Sequence, residues 1–191
     1  ASGTTLTVSG TLTFTDSVGI SDSCTVNGPG AISAQGAITT TGEGCQGTAV
    51  VSINGTGSQT FTGEADTDTV VPAITINKSS GTLSFVNTII PTDDWTYTTG
   101  TLSMGTSTIV FEANTDNALT VTGSMTFNNL TFLETGVFSS STFTIASGTT
   151  LTVSGTLTFT DSVAVSDSCT VNGPGAISAQ GAITTTGEGC T

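Results

Sequence analysis

Residues 5–14 read TLTVSGTLTF, and the same letters return at residues 150–159. Threonine alternates with a large apolar residue on both sides of the Ser-Gly pair, which is the pattern of a strand with one apolar face. The Ser-Gly pair itself is a turn signal. Because threonine is β-branched, it suits the exposed face of a strand. The stretch therefore predicts two short strands joined by a tight turn.

This stretch belongs to a longer repeat with a period of 145 residues, in which residues 146–190 copy residues 1–45. The two conservative differences are Gly19 to Ala164 and Ile20 to Val165. Repetition at a fixed period is typical of arrays and fibres rather than of closed enzyme domains. We expect residues 1–145 to form one full repeat and residues 146–191 to begin the next, without a linker.

Large apolar residues recur every 23 or 24 positions, at Phe14, Ile38, Phe61, Phe85, Ile109 and Phe132. That spacing is typical of a parallel β-helix, whose equivalent strands stack about 4.8 Å apart. The expected fold is all-β: a right-handed parallel β-solenoid with about 24 residues per coil, six coils per repeat and those side chains inside. A β-sandwich pair, the alternative, would need a domain boundary and a linker, which the sequence does not show.

Charge is scarce and one-sided. Fourteen acidic residues face a single basic one, Lys78, and charged residues make up 8% of the chain. Nucleic-acid binding needs clustered lysine and arginine, so the composition argues against a nucleic-acid partner and against anionic membrane surfaces. No apolar run approaches the roughly 20 residues of a membrane span. Helix-favouring charged residues are also few, so we expect almost no helix.

The four cysteines form two equally spaced pairs, Cys24 with Cys45 and Cys169 with Cys190. In a coil of this size, residues one coil apart lie side by side, within the separation that a disulfide tolerates. We expect these two pairs to be disulfides between neighbouring coils; two other connectivities, or free thiols, are the alternatives. Metal binding by these cysteines is disfavoured, because the chain has no histidine and no CxxC pair. Repeated, even cysteines indicate an oxidising compartment, hence an exported protein at the cell surface or outside the cell.

Acidic residues provide the weak metal candidates. Glu64, Asp66 and Asp68 alternate along one segment, so their carboxylates share one side, and oxygen clusters are what Ca²⁺ prefers. No full calcium-loop pattern is present, and solvated surface charge is the alternative that we favour. We expect no cofactor, with structural calcium at these residues as the exception.

Catalysis is not expected. Polysaccharide cleavage on a β-helix needs a pair of tuned carboxylates in a cleft, or a basic residue that abstracts a proton. Lys78 is the only base that could serve, and its Asn-Lys-Ser-Ser-Gly setting is typical of a solvated turn lysine.

Three further ideas follow from local patterns. Trp95 and Tyr97 could form a platform that stacks on a sugar, although an aromatic pair packed over a loop is commoner. Rows of threonine on a solenoid could bind ice, but the motif changes from coil to coil. Asn54, Asn77 and Asn129 each begin an N-glycosylation acceptor pattern.

Residues 77–83, NKSSGTL, and 126–132, TFNNLTF, resemble the Thr/Gly/Asn-rich repeats of bacterial and archaeal adhesin-like surface proteins of the right-handed β-helix type. The resemblance is compositional and transfers no functional residue. It implies an extracellular, elongated, non-catalytic protein. We therefore expect a structural segment of an extracellular filament; the alternative is the stalk of a giant adhesin whose binding tip lies outside this fragment.

The expected partners are copies of the same pattern, stacked head to tail along the solenoid axis. Residues 4–8 already have the pattern of an interior strand, and the last residues copy an interior coil. Terminal coils of a solenoid normally carry polar or irregular caps, because an uncovered coil leaves backbone N–H and C=O groups unpaired. We expect these ends to be covered by more of the same sequence.

Overall fold

The computed structural model describes residues 5–21, 23–65, 69–113, 118–135, 141–161 and 170–186. Within these ranges the chain is all-β and contains no helix. The first ten strands are β1 (Thr5–Thr7), β2 (Thr11–Phe14), β3 (Val18–Ser21), β4 (Cys24–Asn27), β5 (Ala31–Ala34), β6 (Ile38–Thr41), β7 (Cys45–Gln46), β8 (Val50–Ile53), β9 (Gln59–Thr62) and β10 (Val70–Val71). The others are β11 (Ile74–Val86), β12 (Thr88–Pro91), β13 (Trp95–Ser103), β14 (Thr108–Ala113), β15 (Ala118–Thr122), β16 (Met125–Phe127), β17 (Asn129–Glu134), β18 (Thr142–Ile145), β19 (Thr150–Val153), β20 (Leu157–Asp161), β21 (Thr170–Asn172), β22 (Ala176–Ala179) and β23 (Ile183–Thr186).

The strands pair in parallel and form a β-solenoid with three faces. The first face holds β1-β4-β7 and then β10-β12-β14-β17-β20-β23, two sheets connected by a bridge between Gly44 and Val70. The second face holds β2-β5-β8-β11-β13-β15-β18-β21. The third face holds β3-β6-β9 and the second half of β11, and later β16-β19-β22. The predicted parallel β-solenoid is therefore confirmed.

Coil length varies along the axis. Paired residues are 19 positions apart between β5 and β8 and 28 apart between β18 and β21. The mean is about 22 residues, slightly below the expected 24. As a result, the 145-residue period is longer than the expected six coils: six coils lead from β2 to β18 on the second face, and β20, the copy of β2, lies two faces further on.

The interior is apolar and rich in aromatic rings. Of the six residues predicted to line it, five are buried, namely Ile38, Phe61, Phe85, Ile109 and Phe132. Phe14 is only half-buried against the same core. The six do not form a single column as their even spacing implied: some align along the third face, others along the first. The reason is that coils shorter or longer than 24 residues move equivalent positions to different faces.

The two copies of the repeated segment stack in different registers. Leu12 aligns with Ile32, 20 residues ahead, whereas its copy Leu157 aligns with Ile183, 26 residues ahead. Ile183 is the copy of Ile38, not of Ile32. Because every strand here alternates threonine or serine with an aliphatic residue, either partner keeps the apolar side chains inward, and the strand pattern alone does not select one.

Gly44 shows why glycine is needed where adjacent coils come close. Its φ is +66°, and a Cβ atom there would lie 2.0 Å from the carbonyl oxygen of Val70. Any side chain would therefore separate β7 from β10 and break the first face.

Candidate functional site

Lys78, the only basic residue of the chain, lies inside the solenoid wall. The prediction of a solvated turn lysine is wrong: Lys78 sits within β11, where that strand passes from the second face to the third, and its side chain is 1% exposed. Its ammonium donates three hydrogen bonds to the preceding coil. The acceptors are the carbonyl oxygens of Gly55 (2.5 Å) and Gly57 (2.9 Å) and the Oε1 atom of Gln59 (2.5 Å).

Gln59 extends this network to one more coil. Its Nε2 atom donates to the carbonyl oxygens of Ala34, at 3.0 Å, and Gly36, at 2.7 Å. Gln59 is itself buried, at 4% exposure. The chain Lys78, Gln59 and backbone carbonyls thus links three successive coils at one corner, and we call it the lysine corner.

The chemistry of the lysine corner is that of a clamp. An ammonium has three N–H donors, and each of the three meets an acceptor. Burial lowers the pKa of Lys78 below its ordinary value of 10.5. The acceptors are amide oxygens of the wall itself, so the side chain holds coils together where a catalytic base would face a substrate. Sequence reasoning missed this site because its partners lie 19 to 23 residues away; an unusually long strand, broken by no turn, was the signal.

Trp95 does not belong to a sugar-binding platform. It is fully buried, its indole N–H points at the sulfur of Met125 at 3.1 Å, and its ring lies 5.8 Å from that of Phe111. Tyr97 is half-buried and donates from its hydroxyl to the carbonyl oxygen of Gly100, at 2.6 Å. The two rings therefore serve the core and the wall.

A disulfide joins Cys24 and Cys45, the pairing that their spacing predicts. Their Cα atoms are 4.5 Å apart, and they are aligned partners of β4 and β7. The bridge thus connects adjacent coils on the first face. Cys169 and Cys190 lie outside the described residues, so their pairing stays a prediction.

The acidic side chains that the structure describes accept hydrogen bonds between coils. Glu64 accepts from the backbone N–H of Gly42 at 3.2 Å and from the hydroxyl of Thr69 at 3.0 Å. Asp94 accepts from the backbone N–H of Thr120 at 2.7 Å. Asp66 and Asp68, the other calcium candidates, lie outside the described residues. In the described part of the chain, no three acidic or cysteine side chains converge as a metal site.

The three asparagines of the glycosylation patterns differ in accessibility. Asn54 and Asn129 are half-buried, and their side chains are hydrogen-bonded, Asn54 to Ser33 at 2.9 Å and Asn129 to the N–H of Thr156, also at 2.9 Å. Asn77 is exposed. Asn77 is therefore the most accessible of the three acceptor positions.

A groove of about 690 Å³ runs along the outside of the first face, and the carboxyl groups of Glu43 and Glu112 line it. Hydroxyls of Ser23, Thr25 and Thr135 share the same wall. Chemically it is an acidic, hydroxyl-lined surface.

Comparison with known proteins gives no assignment: no protein-family model matches the chain, and neither a curated protein nor a solved structure matches it. In the part of the chain that the structure describes, no helix has the length and apolar character needed to cross a membrane.

Proposed function

We propose that this chain is a structural, non-catalytic segment of an extracellular repeat-protein filament. The observation that carries the proposal is continuity across residue 145. β20, which lies in the second copy, pairs with β17 on one side and with β23 on the other. The second copy thus extends the sheets of the first instead of folding as a separate domain, as a filament that grows by repetition requires.

The use of the polar side chains supports a structural role. Lys78, Glu64 and Asp94 all spend their hydrogen bonds on neighbouring coils. A catalytic site would instead direct such groups into a cleft, with perturbed charges facing a substrate. These groups act here as fasteners between coils.

An extracellular location is supported by the Cys24–Cys45 bridge, since disulfides persist in oxidising compartments. The low charge content is a second argument: Thr and Ser, rather than Lys and Glu, make the surface polar. The alternative function is the stalk of a giant adhesin, in which the same solenoid presents a binding tip located elsewhere in a longer chain.

The test is electron microscopy of the source cells, with gold-labelled antibodies raised against the 191-residue chain. A filament should be labelled at regular intervals along its whole length. A stalk should be labelled only between the cell and an unlabelled tip. Label confined to the cell interior would refute both functions.

Fibre diffraction of the isolated material gives a second measure. Strands should repeat every 4.8 Å along the axis, and six coils plus two faces should advance about 32 Å per 145-residue period. Material without the 4.8 Å axial reflection would contradict a filament built from this solenoid.

A further inference from the structure

Three strands at each end of the described solenoid are paired on one side only. They are β1, β2 and β3 at one end and β21, β22 and β23 at the other. Apolar side chains are exposed at both ends: Leu6 is 45% exposed, Leu12 37% and Ile183 64%. At the first end, a cavity of about 290 Å³ opens into the interior beside Leu6, Phe14 and Val18.

Each of these exposed side chains has a buried twin in the other copy of the repeated segment. Leu151, the twin of Leu6, is fully buried, and Leu157, the twin of Leu12, is 3% exposed. Ile38, the twin of Ile183, is also fully buried. The twin strands have partners on both sides: β19 lies between β16 and β22, and β6 lies between β3 and β9. The sequences at the ends are therefore compatible with a further coil.

The structure also shows which coil fits. Inside the chain, β1, β2 and β3 pair with β4, β5 and β6, and Leu6, Leu12 and Val18 align with Val26, Ile32 and Ile38. The strands β21, β22 and β23 are sequence copies of β4, β5 and β6. They keep the same distances along the chain, since Thr25, Ala31 and Ile38 correspond to Thr170, Ala176 and Ile183. The far end of the solenoid thus offers the strands that already pair with the near end.

We propose that the two ends are complementary docking surfaces for a second copy of this chain. β21, β22 and β23 of one copy add in parallel to β1, β2 and β3 of the next, and Val171, Ile177 and Ile183 align with Leu6, Leu12 and Val18. The contact joins two different surfaces, and β1 lies on the first face while β21 lies on the second. Each added copy is therefore turned by one face, and the assembly grows as an open helical stack. This inference rests on the proposed structural function and names the contact that would build the filament.

The test measures the mass of the 191-residue chain by sedimentation as its concentration rises. Ile183→Asp blocks one end and Leu12→Asp the other; both residues are exposed, so the variants keep their fold, as circular dichroism and melting must verify. Each variant alone should remain monomeric, with association weakened at least about tenfold, because a carboxylate is driven into an apolar contact. An equimolar mixture should form dimers only, since one open end of each kind remains.

Val86→Asp is the matched control, because Val86 is 41% exposed but lies on the side of the solenoid, within β11. It should assemble like the unsubstituted chain. Assembly abolished by Val86→Asp, or dimers formed by Ile183→Asp alone, would overturn head-to-tail docking and favour side-by-side or symmetric contacts. An unsubstituted chain that stays monomeric up to about 1 mM would also overturn it, while leaving the proposed function intact for coils joined in one longer chain.

The register is tested separately by cysteine pairs. Thr13→Cys with Ser178→Cys should give an inter-chain bridge, because Thr13 aligns with Ser33, the residue that Ser178 copies. Thr13→Cys with Thr184→Cys tests the other register, seen where Thr158 aligns with Thr184. Peptide mapping that finds only the second bridge would refute the register proposed here.

Discussion

Replacing Lys78 with methionine should destabilise the solenoid, although it removes a buried charge. Methionine keeps the length and most of the apolar volume of the lysine stem. What it lacks is the ammonium, whose three N–H groups contact Gly55, Gly57 and Gln59. The variant therefore isolates the contribution of the lysine corner from that of packing.

The magnitude follows from two opposing terms. Three acceptors lose a charged donor, and each buried acceptor left without a partner costs about 1–3 kcal/mol. Against this, the variant no longer has to strip water from an ammonium, which recovers part of the loss. We expect a net decrease of about 3 kcal/mol in the free energy of unfolding, since the donor is lost to all three acceptors at once. For a chain of this size, that corresponds to a melting temperature lower by roughly 6–12 °C.

The assay is thermal unfolding followed by circular dichroism. Asn77→Thr is the matched control, because Asn77 is the exposed neighbour in the same strand; it should change stability by less than about 0.5 kcal/mol. Gln59→Leu completes a double-mutant cycle, in which the two substitutions should be coupled by at least about 1 kcal/mol. Additive effects, or a melting temperature for Lys78→Met within about 2 °C of the original, would refute the clamp.

Other consequences can be measured on the same protein. Burial lowers the pKa of Lys78, so the unfolded chain keeps this proton to higher pH than the folded chain; its contribution is complete above the ordinary value of 10.5 and is lost as the pH falls through the lowered pKa. The stability of the unsubstituted chain relative to Lys78→Met, measured in urea, should therefore rise with pH across that window, and a gap that shrinks would contradict the assignment. Cys45→Ser should lower stability by about 3 kcal/mol, because the bridge closes a loop of roughly 20 residues; melting that is unchanged by the substitution would argue against a stabilising bridge. Trp95→Phe should cost about 1–3 kcal/mol through the cavity it leaves, and before substitution the Trp95 fluorescence should resist quenching by iodide until the chain unfolds.

The sequence alone was sufficient for the class of fold. The alternation of Thr with Leu, Val, Ile or Phe determines which side chains of a strand point inward, because the side-chain period of a strand is two and does not depend on its neighbours. The repeated spacing of Cys24 and Cys45 gave the approximate coil length, since a bridge needs residues one coil apart. These are local or nearly local constraints, and they predicted the parallel solenoid and one of its bridges.

Which strand pairs with which was decided only by the tertiary structure. Leu12 and Leu157 have the same flanking sequence over more than ten residues, yet they lie on different faces and align with different isoleucines. The strand pattern is satisfied in either register, so the choice depends on the coils already stacked beneath: β20 is placed by β17, whereas β2 begins the described second face. Lys78 follows the same rule, since its local sequence resembles a turn and its acceptors belong to another coil. Contacts between residues one coil apart carry energies that no local pattern contains, and for this reason only the folded chain reveals them.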